Sequence, residues 1–176
     1  MWKKKSWPKF NLFQKIFANQ KIALLIGSLD KFFIKLPHLP KKLRLLINRF
    51  VPFLALIFGL IGLVASILAG SFVILGLLAG EWGFLADNIL NFGMTLLSTL
   101  FLLKAFKPLR AGNAVGWIYL FWSEILEVIN LIVRAINQES GLIWNLVIII
   151  LSFYCLFEIG QFYVYKKEKE EGLNTI

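Results

Sequence analysis

The residues best suited to chemistry in this chain are acids set in apolar surroundings. Glu124 and Glu127 fall in the run from Ala114 to Val133, and Glu158 falls in the run from Leu142 to Tyr165. On a helix that advances about 100° per residue, take Glu124 as zero. Glu127 then stands at about 300°, Arg134 at about 280°, Ser123 at about 260°, Asn130 at about 240° and Asn137 at about 220°. These residues share one face, while Ile118, Ile125, Ile129, Ile132 and Val133 take the other side. By the same arithmetic Tyr154, Glu158, Gln161 and Tyr165 share a face of the last apolar run. An isolated carboxylate deep in a bilayer costs at least about 2.5 kcal/mol, so each acid requires a partner or a proton.

Two chemistries fit this pattern. In one, Glu124, Glu127 and Glu158 carry protons or cations along a path through the bilayer. In the other, the polar groups bond to one another and fix how the helices assemble. The spacing predicts that Glu124 and Glu158 lie about 15 Å and about 10 Å from the basic ends of their helices, and meet if those helices pack antiparallel. Lys104 is then the nearest cation to neutralise them, and Arg134 answers Glu127 through Asn130. Asn91, Thr95, Ser98 and Thr99 on the preceding run supply further polar lining.

Other chemistries find little to work with. Cys155 is the single cysteine and His38 the single histidine, the latter between Pro37 and Pro40. Neither can build a metal site with residues of its own kind. No Gly-rich phosphate loop or nucleophile elbow is present in the sequence. We therefore expect no cofactor and no enzymatic activity.

The elements that carry these residues follow from composition. Hydrophobic residues make up 59% of the 176 and charged residues only 16%. So small a globule cannot hide that much apolar surface, and much of it must face lipid. A helix crosses the hydrocarbon core in about 20 residues. Four runs meet this: about 51–75, 87–104, 114–133 and 142–165, with breaks at Gly80 and Gly83, at Pro108 to Gly112, and at Glu139-Ser140-Gly141. The fold class expected is all-α, a four-helix transmembrane bundle.

Cations set the orientation, because Lys and Arg resist translocation. Residues 1–49 hold 12 of the 19 Lys and Arg, and Lys104, Lys107 and Arg110 flank the middle loop. Lys166, Lys167 and Lys169 lie in the tail at 166–176, whereas the two remaining loops hold only Arg134. The expected arrangement is a multi-pass protein of the cytoplasmic membrane with both termini in the cytoplasm.

The arm at 1–49 reads as an interfacial, basic, amphipathic helical segment. Phe10, Phe13, Ile16 and Phe17 recur at helical spacing, and Leu43, Leu46, Ile47 and Phe50 do so after Pro40. Interleaved cations would meet anionic lipid headgroups rather than nucleic acid. Within the first span Gly62, Ser66 and Gly70 stand four apart, a spacing that lets helix backbones approach closely. A homo-oligomer or another membrane protein is the partner such a surface suggests. The two helical hairpins are not repeats of one another.

Leu109-Arg110-Ala111-Gly112, then Gly116-Trp117, then Leu156-Phe157-Glu158-Ile159 resemble a pattern of small, uncharacterised four-span bacterial membrane proteins. In these a basic loop leads into a Gly-Trp span, and the last span closes on an aliphatic-aromatic-polar-Ile run. The resemblance implies a bacterial cytoplasmic membrane location and brings no activity with it. At Glu158 the pattern leads one to expect an amide, and this chain has an acid.

Overall fold

In a computed structural model of the chain, the described residues are 26–29, 32–33, 35–80, 82–137 and 141–173. They form four long helices: α1 (Lys41–Ala79), α2 (Trp82–Arg110), α3 (Ala114–Ile136) and α4 (Leu142–Leu173). Each contains a stretch long and apolar enough to cross a membrane, and among the described residues no other regular element is longer than one turn. Large aliphatic and aromatic side chains cover the outside, among them Phe58, Phe72 and Leu78 of α1, each more than half exposed. This is the build of an integral, multi-pass membrane protein.

α1 follows Pro40 and ends where Gly80 turns left-handed at φ 75°. Its 39 residues extend about 58 Å, nearly twice the hydrocarbon thickness of about 30 Å. The expected division between an arm helix and a first span near residue 50 is therefore absent: one helix runs from Lys41 through both. Pro52 lies inside it and is buried. Proline removes one backbone donor, but a single such loss is tolerated where neighbouring helices support the turn. α4 likewise runs past residue 165 to Leu173.

Successive helices pack as neighbours, α1 on α2, α2 on α3 and α3 on α4, and a smaller contact between α1 and α4 closes the circuit. The α1–α2 seam is the tightest. A Cβ on Gly59 would lie 2.8 Å from the Leu103 side chain, one on Gly62 2.5 Å from Thr99 Oγ1, and one on Gly70 3.0 Å from the Phe92 ring. Ser66, between the two glycines, is 1% exposed. Residue numbers rise on one helix as they fall on the other, as antiparallel neighbours require.

At the next corner Gly112 adopts φ 69° and Asn113 caps α3, its side chain accepting from Val115 N–H at 3.0 Å. Gly116 then passes over α2, where a Cβ would meet Leu109 N at 2.6 Å. This brings Trp117 and Phe121 against α4. Their rings stack at 5.7 Å, Trp117 meets Phe157 edge-on at 5.9 Å, and Phe121 meets Phe153 at 6.2 Å.

The segment ahead of α1 belongs to this core. Ile26 is fully buried and Phe33 is 8% exposed. Phe33 stacks on Phe157 at 5.0 Å and on Phe153 at 6.4 Å. Phe33 thus packs on α4. Of the amphipathic positions read from the sequence, Leu43, Leu46 and Phe50 are exposed on α1 and Ile47 is half-buried, while Phe10, Phe13, Ile16 and Phe17 lie outside the described residues.

Candidate functional site

Two polar clusters lie inside the apolar bundle. The first is built on α4. Glu158 falls one turn after Tyr154, next to Phe157 in the core, and is 2% exposed. One carboxylate oxygen lies 2.7 Å from His38 Nδ1, and the other 3.5 Å from Arg44 Nε. A carboxylate only accepts, so Nδ1 carries the hydrogen and donates. His38 stands on the extended stretch between Pro37 and Pro40, and Arg44 on the first turn of α1. The prolines restrict the backbone on either side of His38, so the imidazole is presented by a stiff segment. One turn before Glu158, the Tyr154 hydroxyl donates to the carbonyl of Pro37. Tyr154 and Glu158 of α4 thus hold the Pro37-His38 segment.

This differs from the expected pairing. Glu158 meets His38 and Arg44, neither of which had been set against it, whereas Lys104 is exposed on α2. Nor is Glu124 a partner of Glu158: it lies within electrostatic reach of Glu127 on its own helix and of Cys155 on α4. Helix arithmetic gave the face that Glu158 occupies and could not give the element that covers it. The available signal was the pair of prolines around the one histidine, just ahead of a basic helix.

The second cluster joins α2 to α3. Ser98 Oγ donates to Glu127 Oε1 at 2.8 Å, and Ser98 and Ser123 hydroxyls lie 2.9 Å apart. Ser98 has one hydrogen, which goes to the carboxylate, so Ser123 is the donor of the second bond. The result is a directed chain from Ser123 through Ser98 to Glu127, with both serines at most 3% exposed. Glu127 is therefore held across the helix seam by Ser98 rather than along its own helix through Asn130. Arg134 lies two turns beyond, half-buried, and Asn130 Oδ1 is buried with no hydrogen-bond partner among the described residues. Glu124, also half-buried, has no hydrogen bond or ion pair among the described residues. The Gln161 side chain lies outside them.

Between the clusters sits a third polar contact. The indole of Trp117, fully buried, donates from Nε1 to the carbonyl of Leu156 at 2.8 Å. Gly160 makes room for it, since a Cβ there would lie 2.9 Å from Nε1. In the sequence Trp117 stands out only as half of the Gly116-Trp117 pair.

What this arrangement can do chemically is hold elements together. Polar contacts between elements, at Glu158, Tyr154, Glu127 and Trp117, pin the Pro37-His38 segment, α2 and α3 to their neighbours. Among the described residues no three His, Cys, Asp or Glu side chains converge as a metal-ligand set. Compared with protein-family models, with curated proteins and with solved structures, the chain has no match.

Proposed function

We propose that this chain is a non-enzymatic membrane protein, an accessory or scaffold subunit that works through helix–helix contacts, with both termini in the cytoplasm. The observation that carries the reading is the engagement of Glu158. An acid on a transport path must be reachable by water and able to exchange partners. Glu158 is 2% exposed and held by two basic groups from a different part of the chain. Its charge stabilises a docked arm. Glu127 is committed in the same way, to a serine of the neighbouring helix. The partner would be a second copy or another membrane protein, meeting the broad apolar outside of the bundle.

One observation favours a second reading, an oligomeric proton- or cation-linked transporter. Glu124 is half-buried without a bonded partner among the described residues, on the face that also carries Glu127 and Asn130. Substitutions at Glu124 separate the two readings. For a scaffold, Glu124→Gln leaves membrane abundance and melting temperature near wild type, because the amide sheds the cost of a buried charge. Proteoliposomes of wild-type protein then pass no protons or cations under an imposed gradient. For a transporter, wild-type vesicles carry a flux, and Glu124→Gln removes it at unchanged stability, since an amide does not titrate. That second outcome would overturn the scaffold reading.

A further inference from the structure

The α1–α2 seam carries a group of cations that neither polar cluster uses. Antiparallel register places Gly59 against Leu103 and Gly62 against Thr99. Continued toward the basic end, it sets Lys107 level with about Ala55 and Arg110 level with about Pro52, with Arg49 about 5 Å further out. Take Gly59 and Leu103 as the zero of angle on their helices. Arg49 and Leu60 then lie at about 80° and about 100° on α1, and Lys107 and Lys104 at about 40° and about 100° on α2. On antiparallel helices these positive angles open onto the same side of the seam. Arg110 lies on the seam itself. Arg44, at about 300°, points to the opposite side, where it meets Glu158.

Arg49, Lys104, Lys107 and Arg110 are all exposed, and none forms an ion pair among the described residues. The acids whose side chains are described are Glu124, Glu127 and Glu158, and these belong to α3 and α4. Among the described side chains no acid balances the charge on this flank. Directly below it the surface becomes wholly apolar: Leu60 and Ile67 on α1 are 50% and 60% exposed, and Leu97 and Leu100 on α2 are 43% and 41%. A cationic rim above an apolar groove fits an amphiphile with a negative head and an aliphatic tail.

We infer that this groove binds an anionic phospholipid, with Arg49, Lys107 and Arg110 on the headgroup phosphate and the acyl chain along Leu60 and Ile67. Guanidinium groups grip phosphate through paired N–H donors, and the lysine adds a point charge. The site lies on the α1–α2 seam rather than on the segment ahead of α1, and the inference does not depend on the scaffold reading.

The test uses the full-length protein in neutral detergent, titrated with phosphatidylglycerol or phosphatidylcholine and read by native mass spectrometry and melting temperature. Wild type should retain phosphatidylglycerol and melt higher with it, and phosphatidylcholine or inorganic phosphate alone should do neither. The triple variant Arg49→Gln, Lys107→Gln, Arg110→Gln should lose about tenfold or more in affinity for phosphatidylglycerol. A control triple in the tail, Lys166→Gln, Lys167→Gln, Lys169→Gln, removes the same charge and should bind as wild type. Equal loss in both triples, retention by the seam triple, or equal protection by phosphatidylcholine or by inorganic phosphate would each overturn the assignment. If the seam triple melts early in phosphatidylcholine, the single variants Arg49→Gln and Lys107→Gln replace it, each expected to weaken binding about fivefold.

Discussion

Removing His38 should harm this protein more than removing the acid it binds. His38→Ala takes from the Glu158 carboxylate, whose side chain is 3% exposed, its nearest basic partner at 2.7 Å, while the Arg44 contact stands at 3.5 Å. A hydrogen bond to a charged group contributes about 1.5–3 kcal/mol, and leaving the buried partner unsatisfied places the loss at the upper end of that range. Glu158→Leu removes the buried charge itself. It leaves His38 and Arg44 at 38% and 21% side-chain exposure, where water can reach both. That variant should cost about 1 kcal/mol, because exchanging a buried ion pair for apolar packing is often close to neutral. The double variant should resemble Glu158→Leu alone, so that the second substitution rescues the first. For a chain of this length 1 kcal/mol moves the melting temperature by about 2–4 °C. His38→Ala should therefore lower it by about 4–10 °C in detergent, with the double variant recovering at least half of the loss. A cysteine placed at Leu36, labelled with an impermeant maleimide, should react faster in His38→Ala and at the wild-type rate in the double. Additive losses in the double variant would sink the argument, since they mean the two side chains do not act as a pair.

Other expectations follow from the same contacts. Gly160→Ala drives a methyl into the Trp117 indole at 2.9 Å and breaks its bond to Leu156; it should cost about 2–4 kcal/mol and disturb tryptophan fluorescence, whereas Gly93→Ala, where a Cβ meets nothing within 4 Å, should not destabilise by more than about 0.5 kcal/mol. Ser98→Ala removes the donor to Glu127 and should lower stability by about 1–3 kcal/mol, with Ser98→Ala, Glu127→Leu closer to wild type than Ser98→Ala alone in a melting assay. For orientation, cysteines placed at Ser6 and Thr175 should be shielded from an impermeant thiol reagent in intact cells and one at Ser140 should react; labelling of both termini from outside would reject the arrangement with both ends in the cytoplasm.

How much of this could be read in advance depends on the range of the physics involved. The four helices were legible because lipid imposes a length and a composition on any span, and both are local properties of the sequence. The polar face of α3 was legible for the same reason, since 3.6 residues per turn fixes which side Ser123, Glu127 and Asn130 occupy. The identity of the neighbour on that side was not. Ser98 and Glu127 are 29 residues apart, and His38 and Glu158 are 120 apart, so their pairing follows from how whole elements pack. The continuity of α1 through Pro52 was hidden as well, because a proline between a basic stretch and an apolar one reads as a boundary until the packing around it is known.

The arm illustrates why partner choice decides the energetics. Its cations and aromatics, taken alone, describe a helix lying on a lipid surface. Phe33, however, finds Phe153 and Phe157 at stacking distance, and His38 finds the buried acid Glu158 beside them on α4. Each contact makes the other worth more: the rings exclude water from Glu158, which strengthens its bond to His38, and that bond fixes the backbone from which Phe33 projects. Without His38, the buried Glu158 carboxylate would lose the nearer of its two basic partners. The arm without Glu158 would lose the polar contact that selects where it docks. An amide at position 158 could still accept from His38 but would leave Arg44 with no opposite charge. The acid at this position is thus explained by the two basic groups of the arm and α1 that converge on it.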